Sequence, residues 1–276
     1  MKLVESILTK NPCYTAGRTI TVKGLMLHSV GCPQPGAAAF IKNWNRPSFT
    51  RACVHGFIDG NDGTVYQTLP WDHRGWHCGS SVSGSANDTH IGVEMCEPAC
   101  ITYMGGSAFK CSDIKTAKAV VKRTYEAAVE LFAMLCQEYG LDPLADGVII
   151  SHKEGHGRGI ASNHGDPEHL WSQLGTGYTM DTFRKAVKEK IAGEPARETV
   201  TPDTVRDFPD VPFCVKVMID DLNYREDPSM KSRVKGQTGK GAFTIVEVKD
   251  GWGRLKSGAG WIWLKNPSYC TVGKLV

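Results

Sequence analysis

The sequence predicts two folded parts, an α/β domain with a central mixed β-sheet flanked by helices and then a small all-β barrel. Three observations carry this expectation. In the first part, short apolar runs of strand length alternate with one long helical pattern. A polar stretch, Gly193-Glu194-Pro195-Ala196-Arg197-Glu198-Thr199-Val200-Thr201-Pro202-Asp203, then breaks every periodicity and reads as a linker. Beyond it only β signals remain, joined by Asp-Gly and Gly-rich turns. With 276 residues and 41% hydrophobic content, the chain can bury a sizeable core and still divide. The expected divisions are 1–193, a linker over 194–210, and 211–276.

The elements follow in order. Residues 20–30 and 53–58 read as strands, and Asp59-Gly60-Asn61-Asp62-Gly63 turns the second into a return strand at Thr64-Val65-Tyr66-Gln67. Ile91-Gly92-Val93-Glu94-Met95 is a further strand, with Ile91, Val93 and Met95 on one face and Glu94 on the other. From Asp113 to Tyr139 the period becomes helical. Ala119, Val120, Ala127, Leu131, Leu135 and Cys136 form its stripe, Asp113 its N-cap and Gly140 its stop. Val148-Ile149-Ile150 is a buried strand that delivers His152, and Met180 to Ala192 is a second helix. On element order alone this domain is α/β or α+β. Past the linker, Val215–Ile219, Phe243–Val248, Trp252–Leu255 and Trp261–Leu264 are strands of a small barrel.

Composition narrows the function. The net charge is +3 and Lys and Arg are scattered among acids, so the basic footprint of a nucleic-acid binder is missing. A mildly basic surface suits a polyanionic target. Glu5 interrupts the N-terminal segment where a signal peptide needs an apolar core, and no stretch is long enough to span a membrane. The expectation is synthesis in the cytoplasm without a signal peptide and no membrane insertion. Ten cysteines form no CxxC pair, which removes a thiolate zinc motif or redox dithiol. Cys53, Cys96 and Cys136 sit in apolar runs as small buried hydrophobes. Cys100 and Cys111 bracket a Gly-rich loop and could bridge in oxidising surroundings.

The chemistry concentrates in Ser151-His152-Lys153-Glu154-Gly155-His156 and Asn163-His164-Gly165-Asp166-Pro167-Glu168-His169, which hold four of the nine histidines. Imidazole and carboxylate together are the ligand set of a catalytic Zn²⁺ site. His28 closes the apolar run Gly24-Leu25-Met26-Leu27 far upstream. A strand-end histidine and a distant loop cluster suggest a folded metal pocket. The pattern His152-x-Glu154-x-His156 differs from the metalloprotease H-E-x-x-H in the place of its glutamate. Gly155, Gly157 and Gly159 should also break the helix that motif needs. The better set is His28, His152 and Asp166, with His156 and His164 as possible replacements. The bland alternatives are a satisfied core histidine at His28, an Asp-Pro turn at Asp166 and a surface strand position at Glu94.

These residues resemble the zinc-dependent N-acetylmuramoyl-L-alanine amidases, the family of phage lysozyme-amidases and peptidoglycan recognition proteins. The resemblance runs through Leu27-His28-Ser29, the hairpin Val54-His55-Gly56-Phe57-Ile58-Asp59-Gly60 to Tyr66-Gln67, Gly75-Trp76-His77-Cys78-Gly79, Ile91-Gly92-Val93-Glu94, Ser151-His152 and Asp166-Pro167. It covers roughly residues 20–190. It implies Zn²⁺ on His28, His152 and Asp166, where the ion eases deprotonation of a water and polarises the scissile carbonyl. Glu94 would then take the proton from the water and pass it to the leaving amine. His164 stands where family members often carry a lysine, and would donate a hydrogen bond to the oxyanion. A histidine is cationic only near or below about pH 6.5, so an acid-shifted optimum is expected. His55, Trp76 and His77 are expected to line the substrate groove, while His73, His90 and His169 read as ordinary polar residues, although His169 is close enough to the cluster to matter.

The C-terminal segment resembles the bacterial SH3-like modules appended to cell-wall hydrolases, with Asp221-Leu222-Asn223-Tyr224-Arg225 at the place of their L-N-V/Y-R stretch. Trp252, Trp261 and Trp263 offer aromatic surface for a ligand, although core packing accounts for at least one of them. Together these readings predict a bacteriolytic peptidoglycan hydrolase of endolysin type, cutting between the lactyl group of N-acetylmuramic acid and L-alanine. It would act on the wall after release from the cytoplasm. The alternatives are a non-catalytic peptidoglycan-binding protein and a cytoplasmic muropeptide-recycling amidase. The sequence fixes no oligomeric state.

Overall fold

Six strands form one mixed sheet in the first part of the chain. They are β1 (Leu3–Glu5), β2 (Gly24–Ser29), β3 (Gly56–Ile58), β4 (Val65–Gln67), β5 (His90–Met95) and β8 (Ile149–Ser151), while β6 (Ile101–Gly105) and β7 (Ala108–Cys111) pair apart as a hairpin. The computed structural model describes residues 1–193, 208–229, 232–266 and 269–273. The chain divides into two compact units, Met1–Thr199 and Val200–Val276. Of the linker expected over 194–210, residues 194–207 lie outside the described residues.

The sheet order is β1-β4-β3-β5-β2-β8. β2 runs parallel to both β5 and β8, and β3 parallel to β5, while β3 and β4 make the expected antiparallel hairpin. Every residue of β2 is buried, as a central strand covered on both faces requires. Alternation divides its side chains. Leu25 and Leu27 join Ile91, Val93, Met95 and Ile149 in the main core, and Met26 packs on the opposite face with Ile150, Cys78, Ala86 and Ala161. His28 shares the Met26 face, and its partner in register is Glu94.

The helix α3 (Ile114–Tyr139) covers the Leu25 face. Asp113 accepts the Thr116 N–H at its start, and Gly140 closes it at φ 64°, a left-handed position that glycine takes without strain. Ala119, expected in the buried stripe, faces solvent, because the stripe runs through Ala117, Val120, Val121, Thr124 and Ala128. The helix α6 (Met180–Gly193) packs on α3 through Phe183, whose ring meets Phe132 edge-on at 5.1 Å. Two short helices escaped the sequence reading, α1 (Pro12–Thr15) and α2 (Ala37–Trp44). Phe40 and Trp44 of α2 pack on Phe57 and cover the opposite face of the sheet.

Two further helices carry the loop cluster, α4 (His152–Gly157) and α5 (Glu168–Gln173). The glycines were expected to break α4, but it forms. Ser151 and Glu154 make a reciprocal capping box, and Arg184 from α6 grips the Glu154 carboxylate with two 2.9 Å bonds. At Gly155 a Cβ would lie 2.7 Å from Met26 Cε and 3.1 Å from Ala161 Cβ, so the glycine lets the helix sit close against the buried Met26.

The described residues of the second unit form one seven-stranded sheet, paired antiparallel throughout its registers. Its strands are β9 (Phe213–Val217), β10 (Asn223–Arg225), β11 (Val234–Gln237), β12 (Gly241–Lys249), β13 (Trp252–Leu255), β14 (Trp261–Trp263) and β15 (Cys270–Gly273). Their order is β11-β10-β14-β13-β12-β9-β15. Phe213, Val215, Ile245, Leu255, Ile262 and Leu264 make the core. Trp252 and Trp261 are buried, so only Trp263 keeps partial exposure among the three tryptophans expected to offer a ligand surface.

Candidate metal centre and groove

Three parallel strands end at one edge of the sheet, the place where such sheets collect functional side chains. His28 is the penultimate residue of β2, Glu94 that of β5, and His152 follows directly on β8. Asp166 comes from the segment before α5, where its backbone carbonyl accepts the Lys153 N–H.

The ligand-type atoms of His28, His152 and Asp166 lie within 4.8 Å of one another, and all three residues are buried. His28 Nδ1 is 3.0 Å from His152 Nδ1 and 3.3 Å from Asp166 Oδ2. His152 Nδ1 is 3.5 Å from Asp166 Oδ1. The outer ring atoms fix where the hydrogens sit. His77 Nε2 meets the His90 carbonyl at 3.1 Å, and a carbonyl only accepts, so the His77 hydrogen is on Nε2. His77 Nδ1 is then the acceptor for His28 Nε2–H at 3.0 Å. On the other side Ser162 Oγ donates to the Cys78 carbonyl, which leaves it to accept His152 Nε2–H at 3.1 Å.

Burial disfavours the cationic form of both His28 and His77 and lowers their pKa, with repulsion from neighbouring histidines adding to it. The outer nitrogens of His28 and His152 are spent on His77 and Ser162, so the two Nδ1 atoms face each other and a carboxylate. Three ligand-type atoms turned to one point suit a cation. Two imidazoles and one carboxylate, each imidazole oriented from behind, are a set that Zn²⁺ takes. The residues fit the ion.

A groove of about 480 Å³ opens onto this cluster, lined among others by Ser29, Glu94, Tyr103, Ser107, His164 and His169. Glu94 reaches into it, and its Oε2 is buried without a hydrogen-bond partner. Burial pushes its carboxyl well above the ordinary range, and the charges of Asp166 and Glu97 push the same way. His164 is exposed at 61% of its side chain and stacks on the His152 ring at 4.6 Å. Its Nδ1 stands 3.9 Å from Asp166 Oδ1, at the rim and outside the inner set. His156 turns outward toward the Ala161 carbonyl.

The expected groove residues separate. His77 lines the groove but is chiefly the support of His28, and it has room only because residue 92 is glycine. A Cβ there would lie 2.3 Å from His77 Cγ. His55 does not line it. The ring is fully buried, donates to the His73 carbonyl at 2.7 Å and accepts the Gly92 N–H at 3.0 Å, so both nitrogens are spent on backbone. Trp76 is 47% exposed and lies outside the lining residues. His90 bonds Gly147 and Thr89, as an ordinary polar residue would. Sequence reasoning missed Tyr103, Glu97 and Ser162, and it read His169 as an ordinary polar residue close to the cluster, where the structure has it lining the groove. The hairpin that presents Tyr103 read as a Gly-rich loop, and its flanking Cys100 and Cys111 are free thiols.

The N-acetylmuramoyl-L-alanine amidase family model matches residues 18–169. Two curated relatives from Bacillus subtilis (strain 168) are each 38% identical over 80 residues, or 29% of this chain. They are the N-acetylmuramoyl-L-alanine amidases CwlH, 30% of whose length is matched, and XlyA, 25% of whose length is matched. Among solved structures, the Staphylococcus aureus hydrolase AmiA in complex with its ligand aligns with a TM-score of 0.52 at 20% identity. That alignment covers 71% of this chain and 87% of AmiA. It shows a shared fold.

Proposed function

The chain belongs to the N-acetylmuramoyl-L-alanine amidase family, and on that premise we propose that it hydrolyses the amide between the lactyl group of N-acetylmuramic acid and L-alanine in peptidoglycan. The observation that carries the reading is the facing pair of Nδ1 atoms on His28 and His152, closed by the Asp166 carboxylate. These three residues would hold Zn²⁺. When bound, the ion supplies Lewis acidity, which makes a water easier to deprotonate and polarises a carbonyl.

The chain's own residues supply the rest. Glu94 holds a proton readily because its carboxyl is buried beside other acids, so it accepts one from the attacking water and returns it to the leaving nitrogen of L-alanine. His164, at the rim and stacked on His152, donates a hydrogen bond to the oxyanion of the tetrahedral species. Ser162 and His77 keep the two imidazoles turned inward through the reaction. Residues 211–276 serve as an SH3-like wall-binding module that keeps the enzyme near its polymer. The small antiparallel sheet and the Asp221-Leu222-Asn223-Tyr224-Arg225 stretch support this assignment. An endolysin-like role, with the chain reaching the wall when the host membrane is breached, is in keeping with described helices none of which could cross a membrane.

The test is bound zinc together with release of free L-alanyl amines from purified cell walls, for the wild type and for Asp166→Ala. One zinc per chain and new L-alanine N-termini, both lost in the variant, are expected. Zinc without cleavage would mark a binding protein, and a chain that takes up no zinc would sink the reading.

A further inference from the structure

One wall of the groove is the hairpin β6–β7, and a single phenol joins it to both segments that carry the candidate ligands. Glu97 is fully buried. Its Oε1 accepts the Gly31 N–H at 3.1 Å, and its Oε2 accepts the Tyr103 hydroxyl at 2.7 Å. The same Tyr103 oxygen lies 2.7 Å from His169 Nε2. Its own hydrogen being given to Glu97, the phenol oxygen accepts the Nε2–H of His169. Gly31 follows His28 on the loop after β2, and His169 follows Asp166 in α5. Tyr103 therefore ties the hairpin to both.

From the outer side Gln173 makes a second tie. Its Nε2 donates to the Ser107 carbonyl at 2.8 Å and its Oε1 accepts the Phe109 N–H at 3.2 Å. A two-stranded hairpin is marginal in water by itself, so these ties decide where it stands. Its tip turns at Gly105 and Gly106, both at positive φ, and Gly106, Ser107 and Tyr103 face the groove.

We infer that Tyr103 is a positioning residue, holding the hairpin Ile101–Cys111 as the wall against which a muramoyl peptide binds. It governs how tightly the substrate is held and leaves the rate of bond breaking to the groups around Asp166. The inference rests on the amidase reading above. A hairpin released from its tie has to be ordered again by each substrate molecule, and that cost falls on binding. An interaction that serves ground state and transition state alike appears in KM and not in kcat.

The experiment is Tyr103→Phe, which keeps the ring and removes the hydroxyl. With a soluble muramoyl peptide, KM should rise about tenfold, the worth of one to two ordinary hydrogen bonds, while kcat stays within about twofold. Zinc content should match the wild type. Amide hydrogen exchange across 101–111 in the substrate-free protein should quicken about tenfold. An unchanged KM, or a fall in kcat at constant KM, overturns the inference, and so does unchanged exchange in the hairpin. A wild type that cleaves no muramoyl peptide sinks the amidase reading instead. Calorimetric binding of the same peptide then decides the role of Tyr103: affinity weakened about tenfold in the variant supports it, and equal or absent binding overturns it.

Discussion

His28 Nδ1 and His152 Nδ1 stand 3.0 Å apart, and the hydrogens of both rings point away from each other, toward His77 and Ser162. The arrangement is costly for an empty protein and favourable for one that holds a cation there. It makes the residues behind the imidazoles as important to the centre as the imidazoles themselves, which gives the first prediction.

His77→Phe keeps an aromatic ring in the cavity under Gly92 but removes the acceptor for His28 Nε2–H. Zinc affinity should fall roughly 10- to 100-fold, as it does when the outer partner of a ligating histidine is lost. Competition against a chelator of known affinity measures this, with circular dichroism to show that the fold is kept. Gly92→Ala should do the same from the other side by displacing the His77 ring. Unaltered affinity in both variants would mean that the His28–His77 bond does not orient the ligand.

Glu94→Gln removes the ionisable group while keeping the shape of the side chain. Cleavage should slow by roughly 10²- to 10⁴-fold, the usual worth of a positioned acid–base group, with zinc still bound at one per chain. Because the carboxyl is buried with Oε2 unpartnered, the variant should melt no earlier than the wild type. Loss of zinc along with activity would move Glu94 from proton transfer to metal binding.

The parts of this site legible in the sequence are those that depend on local pattern. The apolar runs before His28 and His152 are strands because nothing but a buried strand suits them, and alternation alone put Glu94 opposite Val93. What stayed hidden depends on contacts between distant segments. Nothing near Tyr103 announces that Glu97 and His169 will meet its hydroxyl, and the hairpin that carries it needs Gln173 from α5 to stand where it does. His77 and His55 look alike in sequence and differ only in what their nitrogens meet after folding. The helix α4 forms against its glycine content because Arg184, from the far end of the domain, secures its capping glutamate.

His164→Lys puts at the rim a side chain that stays cationic up to high pH. If the rim residue donates to the oxyanion as a cation, the variant should stay active at pH values where the wild type declines, extending the alkaline limb of kcat/KM by about one unit or more. The side chain is mostly exposed, so the exchange should leave folding untouched. Superimposable pH–rate profiles would remove His164 from the reaction.

His55 makes a prediction about stability, because its ring is fully buried and its two nitrogens serve the backbone. Burial outweighs those hydrogen bonds and lowers its pKa from 6.5 to about 4. The sign follows from where the proton binds. Above pH 6.5 the ring is neutral in both states and its contribution to stability is complete. As the pH falls below 6.5 the unfolded chain takes up a proton that the folded chain refuses, so stability is lost progressively until about pH 4, where the folded ring titrates as well. The shift corresponds to about 2–3 kcal/mol across that window. Urea unfolding at pH 7 and pH 4 measures it, with His55→Gln as the control that cannot titrate. The wild type should lose more stability than the variant by this amount between the two pH values. Equal losses would show that His55 is not the group that makes the fold acid-sensitive.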